Sequence, residues 1–208
     1  MTISYGFYNS LNHDRVYDAD TVGSIFDGVI EDGVYSQVGE HFAVTKGPQL
    51  SVYVGSGRSW AWHTWLYNDQ KLQMGFDPAS GALSRLDYIC IKIDKSAGVR
   101  ASDIVVVKGT PSSNPTDPVP ADTDKVHYLK LARIEISKGM TEMTDGAITN
   151  LVGTSTTPFV QSPLTTINID YLQKKWDADY QYMLDNMTAT PEGFIPLTNS
   201  QIDSYFPN

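Results

Sequence analysis

The sequence predicts a mainly β protein: a β-sandwich-like domain with a short N-terminal helix and a long C-terminal helix. Three observations carry that expectation. Short runs of β-branched and aromatic residues recur through the middle of the chain, with Gly, Pro, Asn and Asp between them. Apolar residues recur at helical spacing in only two places, behind Asp18 and again between Ile169 and Met187. The 208 residues also suffice for one large core or two small units without disulfide staples.

Composition changes divide the chain into three. Residues 1–38 read as an N-terminal arm and short helix, 39–155 as the β domain, and 156–208 as linker, long helix and docked tail. In the arm, Tyr5, Phe7, Tyr8 and Leu11 suggest a strand or ordered segment that packs on a neighbour. Asp18-Ala19-Asp20-Thr21 then leads into Val22, Ile25, Phe26, Val29 and Ile30. That is the spacing of an amphipathic helix capped by aspartate and ended near Gly33. Gly23 and Gly28 each cost such a helix about 1 kcal/mol relative to Ala, so it needs packing to persist.

In the β domain, Leu50–Val54 alternates and Gly55-Ser56-Gly57 turns the chain. Trp60 to Trp65 reads as a single strand, with Trp60 and Trp62 on one face and Ala61, His63 and Trp65 on the other. Large rings on both faces mean that this strand is sandwiched or meets a partner. Ile89–Ile93 and Ile104–Val107 are the strongest β runs, joined by a turn over Asp94–Gly98. Pro111, Pro115, Pro118 and Pro120 cannot continue a ladder and predict an extended loop. His127–Ile136 resumes as a bent strand or strand pair closed by Gly139, and a short polar element over Asp145–Leu151 turns Ile148 and Leu151 inward.

Thr156–Thr166 reads as a Ser/Thr/Pro linker, after which Asn168 caps a helix. Its apolar positions are Ile169, Leu172, Trp176, Tyr180, Met183 and Met187, spaced 3, 4, 4, 3 and 4 in a single stripe. A stripe of this kind packs either on the chain's own sheet or on copies of itself, and it is the expected assembly interface. The tail from Phe194 to Phe206 is apolar enough to dock.

The formal net charge of -9 argues against a binder of nucleic-acid backbones, which needs a basic footprint. Only 19% of residues are charged, against seven Phe, four Trp and twelve Tyr. The polar surface is therefore built from Ser, Thr, Asn, Gln and Gly, as suits an extracellular or particle-bound protein. The rings exceed what one small core needs, which points to assembly. The lone Cys90, inside Tyr88–Ile93, cannot pair within the chain and reads as a buried small hydrophobe. His13, His41, His63 and His127 lack metal-ligand spacing, and Asp18 and Asp20 read as helix caps before calcium ligands. Gly55–Ser59 lacks the lysine ending of a phosphate loop and precedes a tryptophan-rich strand.

No Ser–His–Asp, paired-carboxylate or Cys–His arrangement stands out, so neither an enzyme, a cofactor nor a metal is expected. Arg85 and Asp87 share one strand face and, with Arg100 near, predict a salt-bridge network. Trp60, Trp62 and Trp65 carry the rival expectation, a carbohydrate-binding module that stacks glycans on exposed rings. No apolar run is long enough for a membrane span, and the first residues lack the basic-then-apolar pattern of a secretion signal.

Several phrases, taken in order, resemble a family of tail and baseplate proteins encoded by phages and prophages of Gram-positive bacteria. They are Ile3–Asn12 followed by Asp14–Ala19, then Ser24–Ile30, Asp32-Gly33-Val34, Gly55–Trp60 and Arg85-Leu86-Asp87. The most diagnostic is Val105–Pro111 with its proline-spaced loop, followed by Ile148–Leu151 and the helix with Trp176. The resemblance spans about residues 1–187 and implies a particle-bound protein that joins the baseplate through its N-terminal part and is often trimeric. Expected partners are copies of the chain, other baseplate or tail proteins, and host cell-wall polysaccharide. The expected location is the virion tail or baseplate, with the bacterial cytoplasm before assembly. Many relatives add a C-terminal head that recognises host glycans. This sequence stops at Asn208, soon after its helix, so the expectation attaches to the base of a receptor-binding apparatus. The family has no catalytic residues to carry over. Arg58, Arg85 and Asp87 fall in the matching phrases and are expected to form structural salt bridges.

Overall fold

A computed structural model describes residues 12, 17–79, 81–161 and 169–189, with side chains in the last segment over 173–184. The expected arm at Tyr5–Leu11, His13, the Asn168 cap, the side chains of Ile169, Leu172 and Met187, and the tail from Phe194 lie outside the described residues. Two compact units result, Met1–Leu164 and Thr165–Asn208.

The first unit is mainly β, built from three antiparallel sheets after a short helix, α1 (Ala19–Gly23). β1 (Gly33–Val34), β4 (Gly57–Ala61) and β5 (Thr64–Asn68) form one sheet in the order β1-β4-β5. β2 (Val44–Lys46), β3 (Ser51–Val54) and β6 (Leu72–Gly75) form the second, ordered β2-β3-β6. β7 (Arg85–Asp94), β8 (Ala101–Val107), β9 (Val126–Ile136) and β10 (Ile148–Asn150) form the largest, ordered β10-β9-β7-β8. The second unit contributes one helix, α2 (Ile169–Ala189).

β7 is buried along almost its whole length: Ile89, Ile91 and Ile93 line one face, while Tyr88 and Cys90 are buried on the other. Its partner β9 carries a one-residue bulge: Ile89 faces Ala132 and Cys90 faces Lys130, so Leu131 is the extra residue. Alternation alone would put Leu129 and Leu131 on the face opposite Ala132, Ile134 and Ile136. The bulge resets the phase, and all five are buried. One core runs from Val34, Phe42, Val44 and Val52 through Ile89, Ile91, Leu131, Ile134 and Ile136.

Asn150 ties two sheets together. Its side-chain oxygen accepts from the Val44 amide at 2.8 Å and its NH2 donates to the Val44 carbonyl at 3.0 Å. The amide thus completes the outer edge of β2 from the end of β10. The stretch expected as a linker also belongs partly to this unit. Thr157 is fully buried and donates to the Lys130 carbonyl, and Phe159 forms a parallel bridge to Val34.

The N-terminal helix is shorter than its periodicity implies. Asp18 caps it by accepting from the Thr21 amide at 2.7 Å. It then runs only to Gly23, passes through a 3-10 turn over Ser24–Phe26, and reverses at Gly28 with a φ of 74°. Gly23 is where the helix meets the sheet, since a Cβ there would stand 2.2 Å from the His63 Cβ. Val22, Ile25 and Val29 remain exposed and Phe26 only partly so, which leaves most of the apolar face expected to pack uncovered among the described residues.

Candidate functional site

The tryptophan-rich segment is a hairpin, not one strand. The chain reverses at Trp62-His63, whose φ values of 47° and 59° are those of a two-residue turn that glycine and asparagine usually supply. Tertiary contacts hold these two residues in place. The Trp62 amide donates to both oxygens of Asp32, and the Trp62 ring stacks on His127 with centroids 4.5 Å apart. His63 Nε2 lies 2.8 Å from Asp27, with Asp20 at 3.7 Å from Nδ1.

The reversal redistributes the rings. Trp60 pairs directly with Trp65, and Arg58 with Tyr67, so all four share the outer face of β4 and β5. Trp60 takes Phe26 edge-on at 5.3 Å and is half-buried. Trp65 is 59% exposed and Tyr67 55%. Of the three tryptophans expected to stack on glycans, only Trp65 offers an open ring.

Beside Trp65 and Tyr67 lies a cleft of about 630 Å³. Its walls come from β5, from the β7–β8 turn with Asp94, Lys95, Arg100 and Ser102, and from Asp18 and Asp20 at the start of α1. Most of its charges are already engaged. Lys95 pairs with Asp20, while Asp94 accepts from Ser96 and from Lys92 at 3.0 Å. The Ser96 hydroxyl and then Lys92 hold the Asp94 carboxyl below its ordinary value, and the Thr21 hydrogen bonds do the same for Asp18. Arg100 sits on left-handed backbone, its amide fixed to the Ser96 carbonyl, and among the described residues its guanidinium has no ion pair. The predicted network of Arg100 with Arg85 and Asp87 is therefore absent among the described residues.

Arg85 and Asp87 form a closed unit elsewhere. The pair is 2% and 1% exposed, with Nε 3.0 Å from both carboxylate oxygens. The remaining guanidinium nitrogens donate to the Pro78 and Asp77 carbonyls, and Asp87 also accepts from the Gly109 amide at 2.9 Å. Gly109 is needed there, because a Cβ would stand 2.0 Å from the Leu86 carbonyl oxygen. This explains the Lys108-Gly109-Thr110-Pro111 phrase: the chain must graze β7 before the proline loop departs. Arg58 instead lies over the rings of Tyr35 and Trp65, at 5.8 and 5.2 Å from their centroids, and has no carboxylate partner among the described residues.

Cys90 is fully buried, and that burial pushes its thiol up to about 12, so it stays protonated and inert. No group of three or more metal-ligating side chains occurs among the described residues, and no described helix is long and apolar enough to cross a membrane. On α2, Trp176, Tyr180 and Met183 are 72%, 56% and 55% exposed. Sequence reasoning missed Arg100 as a cleft residue, because its positive φ and its neighbour Trp65 are set by tertiary contacts. Comparison with protein-family models, with curated proteins and with solved structures returns no match for this chain.

Proposed function

We propose that the protein is a structural component of a phage tail or baseplate, which assembles as a homo-oligomer, a trimer in the simplest case, and forms the base of a host-recognition apparatus. The ordered sequence phrases support the particle assignment. The observation that carries the assembly reading is the α2 stripe: Trp176, Tyr180 and Met183 stand at i, i+4 and i+7, on one side of the helix, with more than half of each in solvent. Rings of this size stabilise most where they are desolvated, and copies of the same helix desolvate them symmetrically.

Solution mass at micromolar concentration tests the reading. The expected result is an oligomer, with Trp176→Ser/Tyr180→Ser shifting the population to lower mass. A strictly monomeric species near 23.0 kDa overturns it.

A further inference from the structure

An exposed tryptophan is ordinary by itself; the surroundings of Trp65 are not. Trp65 and Tyr67 alternate along β5, so their rings rise from one face about 6.6 Å apart along the strand. They border a cleft whose 630 Å³ falls within the usual range of small-ligand sites, roughly 300–1,000 Å³. Arg58 occupies one face of the Trp65 ring, yet 59% of the residue is still in solvent. Against this apolar platform stand Arg100, with no ion pair among the described residues, the Ser102 position, Asp18 and Asp20.

That combination narrows the ligand. A purely apolar molecule would desolvate the Arg100 donors without replacing their water. A strongly anionic one meets Asp18, which has no ion pair among the described residues, in a chain of net charge -9, and a cation meets the unpaired Arg100, while Lys95 and Asp20 offset one another. A neutral sugar suits all of these groups. The C–H face of its ring lies on an aromatic side chain, while its hydroxyls donate to carboxylates and accept from a guanidinium.

We propose that this cleft is a saccharide-binding site for neutral oligosaccharides, with Trp65 and Tyr67 as the stacking platform and Arg100 as the main hydrogen-bond donor. The proposal is independent of the α2 stripe, since every group it uses lies in the first compact unit.

The test applies the full chain to an array of neutral, uronate-bearing and phosphorylated oligosaccharides, then titrates the best neutral binder by calorimetry. A neutral oligosaccharide is expected to bind. Trp65→Ala should weaken it about tenfold, and Arg100→Gln should weaken it to a smaller extent. Both variants should stay folded, with at most a small fall in melting temperature for Trp65→Ala from its lost Trp60 and Arg58 contacts, and Trp176→Ser should leave sugar affinity unchanged while lowering the oligomer mass. Binding of acidic sugars alone, no binding, or full affinity in Trp65→Ala overturns the proposal. A lower solution mass for Trp65→Ala also overturns it, by making the cleft an interface between copies.

Discussion

Arg85 and Arg100 lie in the same domain and belong to two kinds of chemistry. Around Arg85, every polar atom is spoken for: the guanidinium meets Asp87 and two loop carbonyls, and Asp87 meets the Gly109 amide. Around Arg100, the backbone is held and the side chain is left open beside exposed rings. A charge taken fully out of water is tolerated only with complete pairing, so the first arrangement is rigid and specific to one geometry. The second keeps its hydration and gives it up only to something that binds. Buried clamp and open cleft differ less in residue type than in what is left unsatisfied.

The sharpest way to break this contrast is to empty one half of the clamp. Asp87→Ala leaves Arg85 buried and unpaired and should cost about 3–5 kcal/mol in urea denaturation. Replacing both together, as Arg85→Met/Asp87→Leu, should cost less than Asp87→Ala alone; an equal or larger loss would mean that the loop carbonyls dominate. Gly109→Ala presses a methyl onto the Leu86 carbonyl and should cost about 1–3 kcal/mol by the same measurement. Asn150→Ala removes both partners of the Val44 backbone and should cost about 1–3 kcal/mol, with faster hydrogen exchange at the Val44 amide.

At the cleft, effects on stability should be smaller and dependent on pH. The Asp94 carboxyl is held below the ordinary 3.8 by Ser96 and Lys92. Its contribution is therefore present above pH 3.8 and fades as pH falls through the depressed folded value. Asp94→Asn should melt below the wild type at pH 7, and the gap should close in acid. A gap that persists at pH 2 would assign the effect to packing. At the far end, Trp65→Ala gives up its Trp60 and Arg58 contacts and should cost about 1 kcal/mol while weakening ligand affinity, and Trp176→Ser should act mainly on solution mass.

How much of this was readable in advance follows from where each signal is stored. Ile89–Ile93 and Ile104–Val107 pair as their β-branched residues imply: β7, buried along its length, and the half-buried edge strand β8 both carry their strand signal locally in composition. The Asp18 cap is equally local. The Trp60–Trp65 hairpin is hidden because its turn residues, Trp62 and His63, carry none of the usual turn chemistry; Asp32, Asp27 and His127 hold them from elsewhere in the chain. Thr157–Val160 resembles a linker because its two isolated parallel bridges, Phe159 with Val34 and Thr157 with Val152, use backbone groups that every residue owns. Helical spacing after Asp18 continues past Gly28, but contact between Gly23 and His63 decides where the helix stops. The Arg85–Asp87 pair is legible at i and i+2; the cleft is not, because its walls meet only after three distant segments fold.

The parallel pairing of Val34 with Phe159 has a mechanical consequence. The Val34 amide donates to the Pro158 carbonyl at 3.0 Å, and the Val34 carbonyl accepts from the Val160 amide at 2.8 Å. Here the segment that leads into the domain and the segment that leads out of it run side by side in the same direction. Force applied to the chain on either side pulls the two segments past one another along their length, loading both bonds at once instead of peeling them in turn. Under tension, the pair acts as a shear clamp that shields the domain between them.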